Sequence, residues 1–134
     1  MTRRYVDSSV IISAYDARGD GRASFILDSS EEILTSRLVH LEVLRNPRRL
    51  VDTPDAVLSM AEFEMDYARM TTVEIGEDVW KLATAIAVDH GVKSLDALHL
   101  ATALSVGLAQ LEFVTFDMRQ ARAAERLGMP VLGP

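Results

Sequence analysis

From Lys93 to Leu104 the chain reads Lys-Ser-Leu-Asp-Ala-Leu-His-Leu-Ala-Thr-Ala-Leu, a run without Gly or Pro in which Ala and Leu dominate. These are strong helix formers, and Ser94 stands where an N-cap belongs, so the run predicts a helix. Leu95 and Leu98 share one face, while Ala97, Leu100, Ala101 and Leu104 cover another. A helix that is apolar nearly all round must be buried on several sides, so the rest of the chain has to supply its cover. Two polar side chains interrupt the pattern. A carboxylate in a first turn suits the helix dipole, which makes capping the plainest reading of Asp96. His99 reads first as a satisfied core histidine.

Around this helix, strand and helix signals alternate. Short extended segments are expected at 3–6, 32–35, 72–75, 111–116 and 129–132. Helices are expected after Asp7, at 23–27, after Ser36, at 55–69, from Gly76 to the C-cap Gly91, and at 119–127 before Gly128. The run Val10-Ile11-Ile12 is β-branched and argues against the first of these helices. Trp80 is expected in the core or in a contact between copies. Such alternation predicts an α/β fold, a three-layer α/β/α arrangement with a central parallel sheet. With no linker, repeat or low-complexity stretch in 134 residues, one domain spanning 1–134 is expected.

Composition narrows the chemistry. There is no cysteine, so disulfides, thiolate metal sites and a Cys nucleophile are excluded, and a reducing cytoplasm fits. No apolar run approaches a membrane span, and the polar start does not resemble a signal peptide. Three His residues are too few and too scattered for a typical zinc site. A formal charge of −6 gives no bulk attraction to nucleic acid, so such a partner would need a local basic patch. Arg45, Arg48 and Arg49 are the one such cluster evident in the sequence, readable either as a solvated face or as a phosphate contact. No glycine fingerprint for a dinucleotide or a P-loop occurs, and no Gly-Xaa-Ser-Xaa-Gly elbow.

What remains is carboxylate chemistry. Asp7 and Asp117 stand at predicted strand ends, and in parallel sheets the ligand crevice lies beyond those ends. Glu42 lies on the helix after the second strand, and Asp96 opens the apolar helix. If these turns face one crevice, four carboxylates converge, and their repulsion demands a cation. Mg²⁺ and Mn²⁺ prefer carboxylate and water ligands, and can activate water for displacement at phosphorus. Ser8, Ser9, Ser36 and Thr115 are placed to orient waters or carboxylates. Each acid also has a plainer reading: Asp7 as a cap, Glu42 as a solvated helix residue, and Asp117 paired with Arg119 and Arg122. A small phosphatase or phosphoacceptor domain also puts acids at strand ends. It wants an acidic pair after the first strand and a Lys near the last, and neither is present.

The segments Tyr5-Val6-Asp7-Ser8-Ser9-Val10-Ile11, Thr35-Ser36-Arg37-Leu38-Val39-His40-Leu41-Glu42, Leu95-Asp96-Ala97-Leu98-His99-Leu100-Ala101-Thr102-Ala103 and Val114-Thr115-Phe116-Asp117 resemble, in order and spacing, the successive blocks of a PIN domain. The likeness covers essentially the whole chain, and its size resembles the VapC toxins of bacterial toxin–antitoxin pairs. The resemblance implies that Asp7, Glu42, Asp96 and Asp117 form an acidic quartet holding Mg²⁺ or Mn²⁺, with Ser8 or Ser9 and Thr115 in support. It further implies a metal-dependent endoribonuclease that forms a homodimer and is neutralised by a small cognate antitoxin docked near the active site. A PIN-like domain that is catalytically silent and only binds a partner is the alternative.

Overall fold

The computed structural model describes residues 3–15, 21–45, 54–107 and 110–134. In chain order the elements are β1 (Arg3–Val6), α1 (Ser8–Ala14), α2 (Arg22–Asp28), β2 (Glu32–Ser36), α3 (Arg37–Arg45) and α4 (Pro54–Arg69). They continue with β3 (Thr71–Val73), α5 (Glu77–His90), α6 (Ser94–Val106), β4 (Leu111–Val114), α7 (Met118–Arg126) and β5 (Val131–Leu132). The strands form one sheet in the order β3-β2-β1-β4-β5, and every pairing is parallel. Parallel strands need crossovers, and the helices that make them cover both faces of the sheet.

Alternation along the central strands divides the interior in two. Tyr5 and Phe113 point to one face, where they pack with α5, α6 and α7. Their rings stack with centroids 5.5 Å apart. Val6 and Val114 point to the other face and pack with α1, α2, α3 and α4. The β-branched run of α1 is helical because Val10 and Ile11 are fully buried there, so tertiary packing outweighs local preference. Helix α6 is buried from Ala97 to Ala103, as its all-round apolarity requires.

Two expectations need correction. Ser94 is the first helical residue of α6; the N-cap is Lys93, and no side chain caps the helix. The fourth strand ends at Val114, because the chain turns at Thr115 and Phe116 to place Asp117 as N-cap of α7. Trp80 is 52% exposed on α5, so of its two expected places, the core or a contact between copies, the core is ruled out.

Candidate active site

Every strand points its carboxyl end the same way, so the turns that follow β1, β2 and β4 share one edge. Asp7 leaves β1 and caps α1. Its Oδ1 accepts from the backbone N–H of Ser9 and Val10 at 3.1 and 3.4 Å, and from the Ser9 hydroxyl at 2.6 Å. Its Oδ2 accepts from the Thr115 hydroxyl at 2.6 Å. Capping and site membership thus coexist in one carboxylate. Burial raises the Asp7 pKa from its ordinary value, and the bonds from Ser9 and Thr115 oppose the shift.

Beyond β4, Thr115 ties two turns together, since its Oγ1 also accepts the Asp117 N–H at 3.1 Å. The Ser9 hydroxyl accepts the Phe116 N–H at 3.0 Å, a second tie between the same turns. Asp117 caps α7 by accepting the Gln120 N–H at 3.1 Å. Gln120 is buried and reaches back to the backbone carbonyl of Asp96 at 3.3 Å, which locks α7 to α6. Gly133 packs on the same turn: a Cβ there would lie 2.2 Å from the Thr115 carbonyl oxygen.

Glu42 on α3 is held from two sides. Its Oε2 accepts from the Ser8 hydroxyl at 2.9 Å, and its Oε1 lies 2.7 Å from Nε2 of His99. Nδ1 of His99 lies 2.8 Å from the Tyr5 hydroxyl. A carboxylate can only accept, so Nε2 carries the proton facing Glu42. The Tyr5 pKa is raised well above its ordinary value, by burial first and then by the Asp7 carboxylate, so the phenol keeps its proton and can donate to Nδ1. The result is a hydrogen-bonded chain from the sheet to the site, buried at Tyr5 and His99 and half-buried at Glu42 and Ser8. Ser36 accepts the Leu38 N–H at 3.2 Å and caps the start of α3, as expected.

Asp96 differs from the others. Its side chain accepts no hydrogen bond from the described residues. It is half-buried, and its pKa is raised by burial and then by the negative charges of Asp117, Asp7 and Glu42, against the opposing effect of His99. Asp96 thus keeps its place in the first turn of α6 without making a capping hydrogen bond. Together with Asp117 it lines a cavity of about 310 Å³ whose wall also carries Lys93, Arg119, Arg122 and Arg126. A larger cavity of about 390 Å³ includes Tyr15 and Glu32, at the opposite ends of α1 and β2 from Asp7 and Ser36, and lies away from these acids.

Among the described residues no three His, Asp or Glu side chains lie close enough to share one metal ion. Mg²⁺ does not require such a cage, because it is commonly held by one or two carboxylates with waters and substrate phosphates in the remaining positions. An all-oxygen donor set, mutual repulsion centred on Asp96 and its uncommitted oxygens fit such an ion. Asp96 and Asp117 are the side chains open to direct contact, while Asp7 and Glu42 already hold hydrogen bonds on both oxygens.

The sequence reading missed His99, Tyr5 and Gln120 as parts of the site. For Gln120 a signal existed: Asp117 and a Gln three residues on form the pattern of a capping box. Arg45 is exposed in the last turn of α3, and Arg48 and Arg49 lie outside the described residues. Among the described residues, basic side chains of α7 and of the turn before α6 line the cavity of Asp96 and Asp117. Arg119 and Arg122 form no ion pair with Asp117.

A family model described as "PIN domain" matches residues 4–126. The chain is 31% identical over 133 residues to Ribonuclease VapC45 of Mycobacterium tuberculosis, covering 95% of this chain and 92% of that protein. Among solved structures, Mycobacterium tuberculosis VapC20, described as a sarcin–ricin loop cleaving toxin, superposes with a TM-score of 0.70 at 20% identity, covering 90% of this chain and 94% of the other. A toxin–antitoxin complex from Klebsiella pneumoniae gives a TM-score of 0.69 at 19% identity, covering 87% and 88%.

Proposed function

This chain belongs to the PIN domain family, and from that premise we propose that it is a divalent-metal-dependent endoribonuclease, the toxin of a toxin–antitoxin pair. The reading is supported by the hydrogen bonds that tie the elements of the four acids together at one edge of the sheet: Ser8, next to Asp7, bonds Glu42, Thr115 joins Asp7 to the Asp117 turn, and Gln120 joins α7 to Asp96. Mg²⁺ or Mn²⁺, when bound, supplies the positive charge that polarises a phosphodiester and lowers the pKa of water. Asp96 and Asp117 would hold it from the cavity they share. Asp7, fixed by Ser9 and Thr115, and Glu42, fixed by His99 and Ser8, keep two further negative charges in place at no cost in reorganisation. The open oxygens of Asp96 are also suited to accept a proton from water at the reacting phosphate.

The named relative is a ribonuclease, and a structural neighbour is a toxin–antitoxin complex, which supports RNA as substrate and an antitoxin as partner. No helix among the described residues is long and apolar enough to cross a membrane, which is consistent with action in the cytoplasm. Trp80 and Val88, exposed two turns apart on α5, suit self-association as a homodimer. The test is cleavage-site mapping on total RNA with Mg²⁺ or Mn²⁺, comparing the parent with Asp7→Asn and with EDTA. Activity should fall by orders of magnitude in both controls; cleavage that persists in EDTA would exclude the mechanism. A silent binding domain would neither take up Mn²⁺ nor cut RNA.

A further inference from the structure

The cavity that holds Asp96 and Asp117 has a second chemical character. Lys93, Arg119, Arg122 and Arg126 line it as well, all exposed. In a chain with 20 acidic and 14 basic residues, surface cations have carboxylates to spare, and Arg3, Arg4 and Arg37 each take one. The four cavity cations take none among the described residues, not even Glu125 on the same helix. Nor do they serve the core. Helix α7 packs through Gln120, Ala121, Ala123 and Ala124, which leaves Arg119, Arg122 and Arg126 along the outward face. That face runs about 10 Å from Arg119 to Arg126 at the helical rise per residue, enough for more than one phosphate. No Phe, Tyr or Trp lines the cavity and His90 supplies its one aromatic ring, so its lining offers charge more than stacking.

We propose that this cavity and the outer face of α7 bind the RNA backbone beside the scissile bond, with Arg119, Arg122, Arg126 and Lys93 neutralising successive phosphates next to the carboxylates. The proposal rests on the ribonuclease reading and deepens it by assigning the substrate's path. It adds a phosphate contact distinct from the Arg45, Arg48 and Arg49 cluster. Phosphate contacts fix register without reading sequence, so the site contributes affinity to all RNAs alike.

The test measures binding of short single-stranded RNAs of unrelated sequence, across a salt series, to the full chain carrying Asp7→Asn to block cleavage. A triple change, Arg119→Ala, Arg122→Ala and Arg126→Ala, is added to that background. If each arginine meets one phosphate, the slope of log K against log salt should shrink by about 2 in magnitude, and affinity should drop to a similar degree for every sequence. The matching triple change to Lys keeps the charges and should restore most of the slope, which separates lost contacts from lost folding. An unchanged slope in the Ala variant overturns the proposal, as does a loss confined to one RNA sequence. The nuclease reading is judged separately: a parent that cuts no RNA, yet loses binding with the arginines, keeps the phosphate site and refutes the enzyme.

Discussion

Asp96 and His99 lie one helical turn apart on α6 and face the site with opposite needs. Asp96 lacks hydrogen-bond donors and is crowded by Asp117, Asp7 and Glu42, so without metal its charged form is disfavoured. Its folded pKa lies above the unfolded value of about 3.9, so between the two the folded state holds the extra proton. The stability that this provides is complete below the unfolded pKa and is lost as pH rises through the folded one. Asp96→Asn should therefore raise the melting temperature at neutral pH in EDTA and flatten its decline with pH. Excess Mn²⁺ should reverse the order, since a ligand at a hundredfold over Kd adds about 2.7 kcal/mol to a protein that binds it, and the variant binds it less well. Equal gains on adding Mn²⁺ to parent and variant would remove Asp96 from the metal site. His99 acts through Glu42 as a positioning residue. His99→Phe strips the donor from Oε1 of the half-buried Glu42 and removes the Nδ1 acceptor facing the buried Tyr5 hydroxyl, at about 1–3 kcal/mol if that hydroxyl is left unpaired. His99→Gln retains a donor of similar reach, and should recover kcat for RNA cleavage more than His99→Phe does, with KM little changed in either. Equal kcat in the two variants would reduce His99 to packing.

Among the elements, α5 shows how a single backbone position shapes the site. Gly91 ends the helix at φ 64° and lies on the cavity wall, where an added Cβ would meet nothing within 4 Å. Gly91→Ala thus meets only the left-handed backbone penalty, about 1 kcal/mol, seen as a melting temperature lower by a few degrees. A loss several times larger would mean that the turn into α6 is packed more tightly than its open surroundings imply. Much of the element pattern is legible in the sequence because parallel strands and their helices leave strong periodic signals. Asp7 and Asp117 could be placed on one edge from strand order alone. The Glu42–His99 contact could not, because the partners are 57 residues apart and nothing local to either encodes the other. The basic wall was hidden for a related reason. Arg45, Arg48 and Arg49 stand out by adjacency, whereas Lys93 and the α7 arginines are brought together only by the fold. The helix α1 was expected after Asp7 against the extended preference of its Val10-Ile11-Ile12 run, and it is helical because Val10 and Ile11 are buried.

At the scale of the whole molecule, the acids are drawn from both faces of the sheet. Asp7 and Glu42 belong with α1 and α3 on one side, and Asp96 and Asp117 with α6 and α7 on the other. The site therefore forms at a seam, and the integrity of either layer decides whether it exists. The strand order adds something further. β1, made first, lies between β2 and β4, and β4 begins only at Leu111. During synthesis the early acids emerge long before the strand that flanks β1 and the turn that carries Thr115 and Asp117. A chain made only as far as α6 has three of the four acids, Asp7, Glu42 and Asp96, but not the turn whose Thr115 holds Asp7. Translation order thus sets the assembly of the site after β4, the fourth of the five strands to be made.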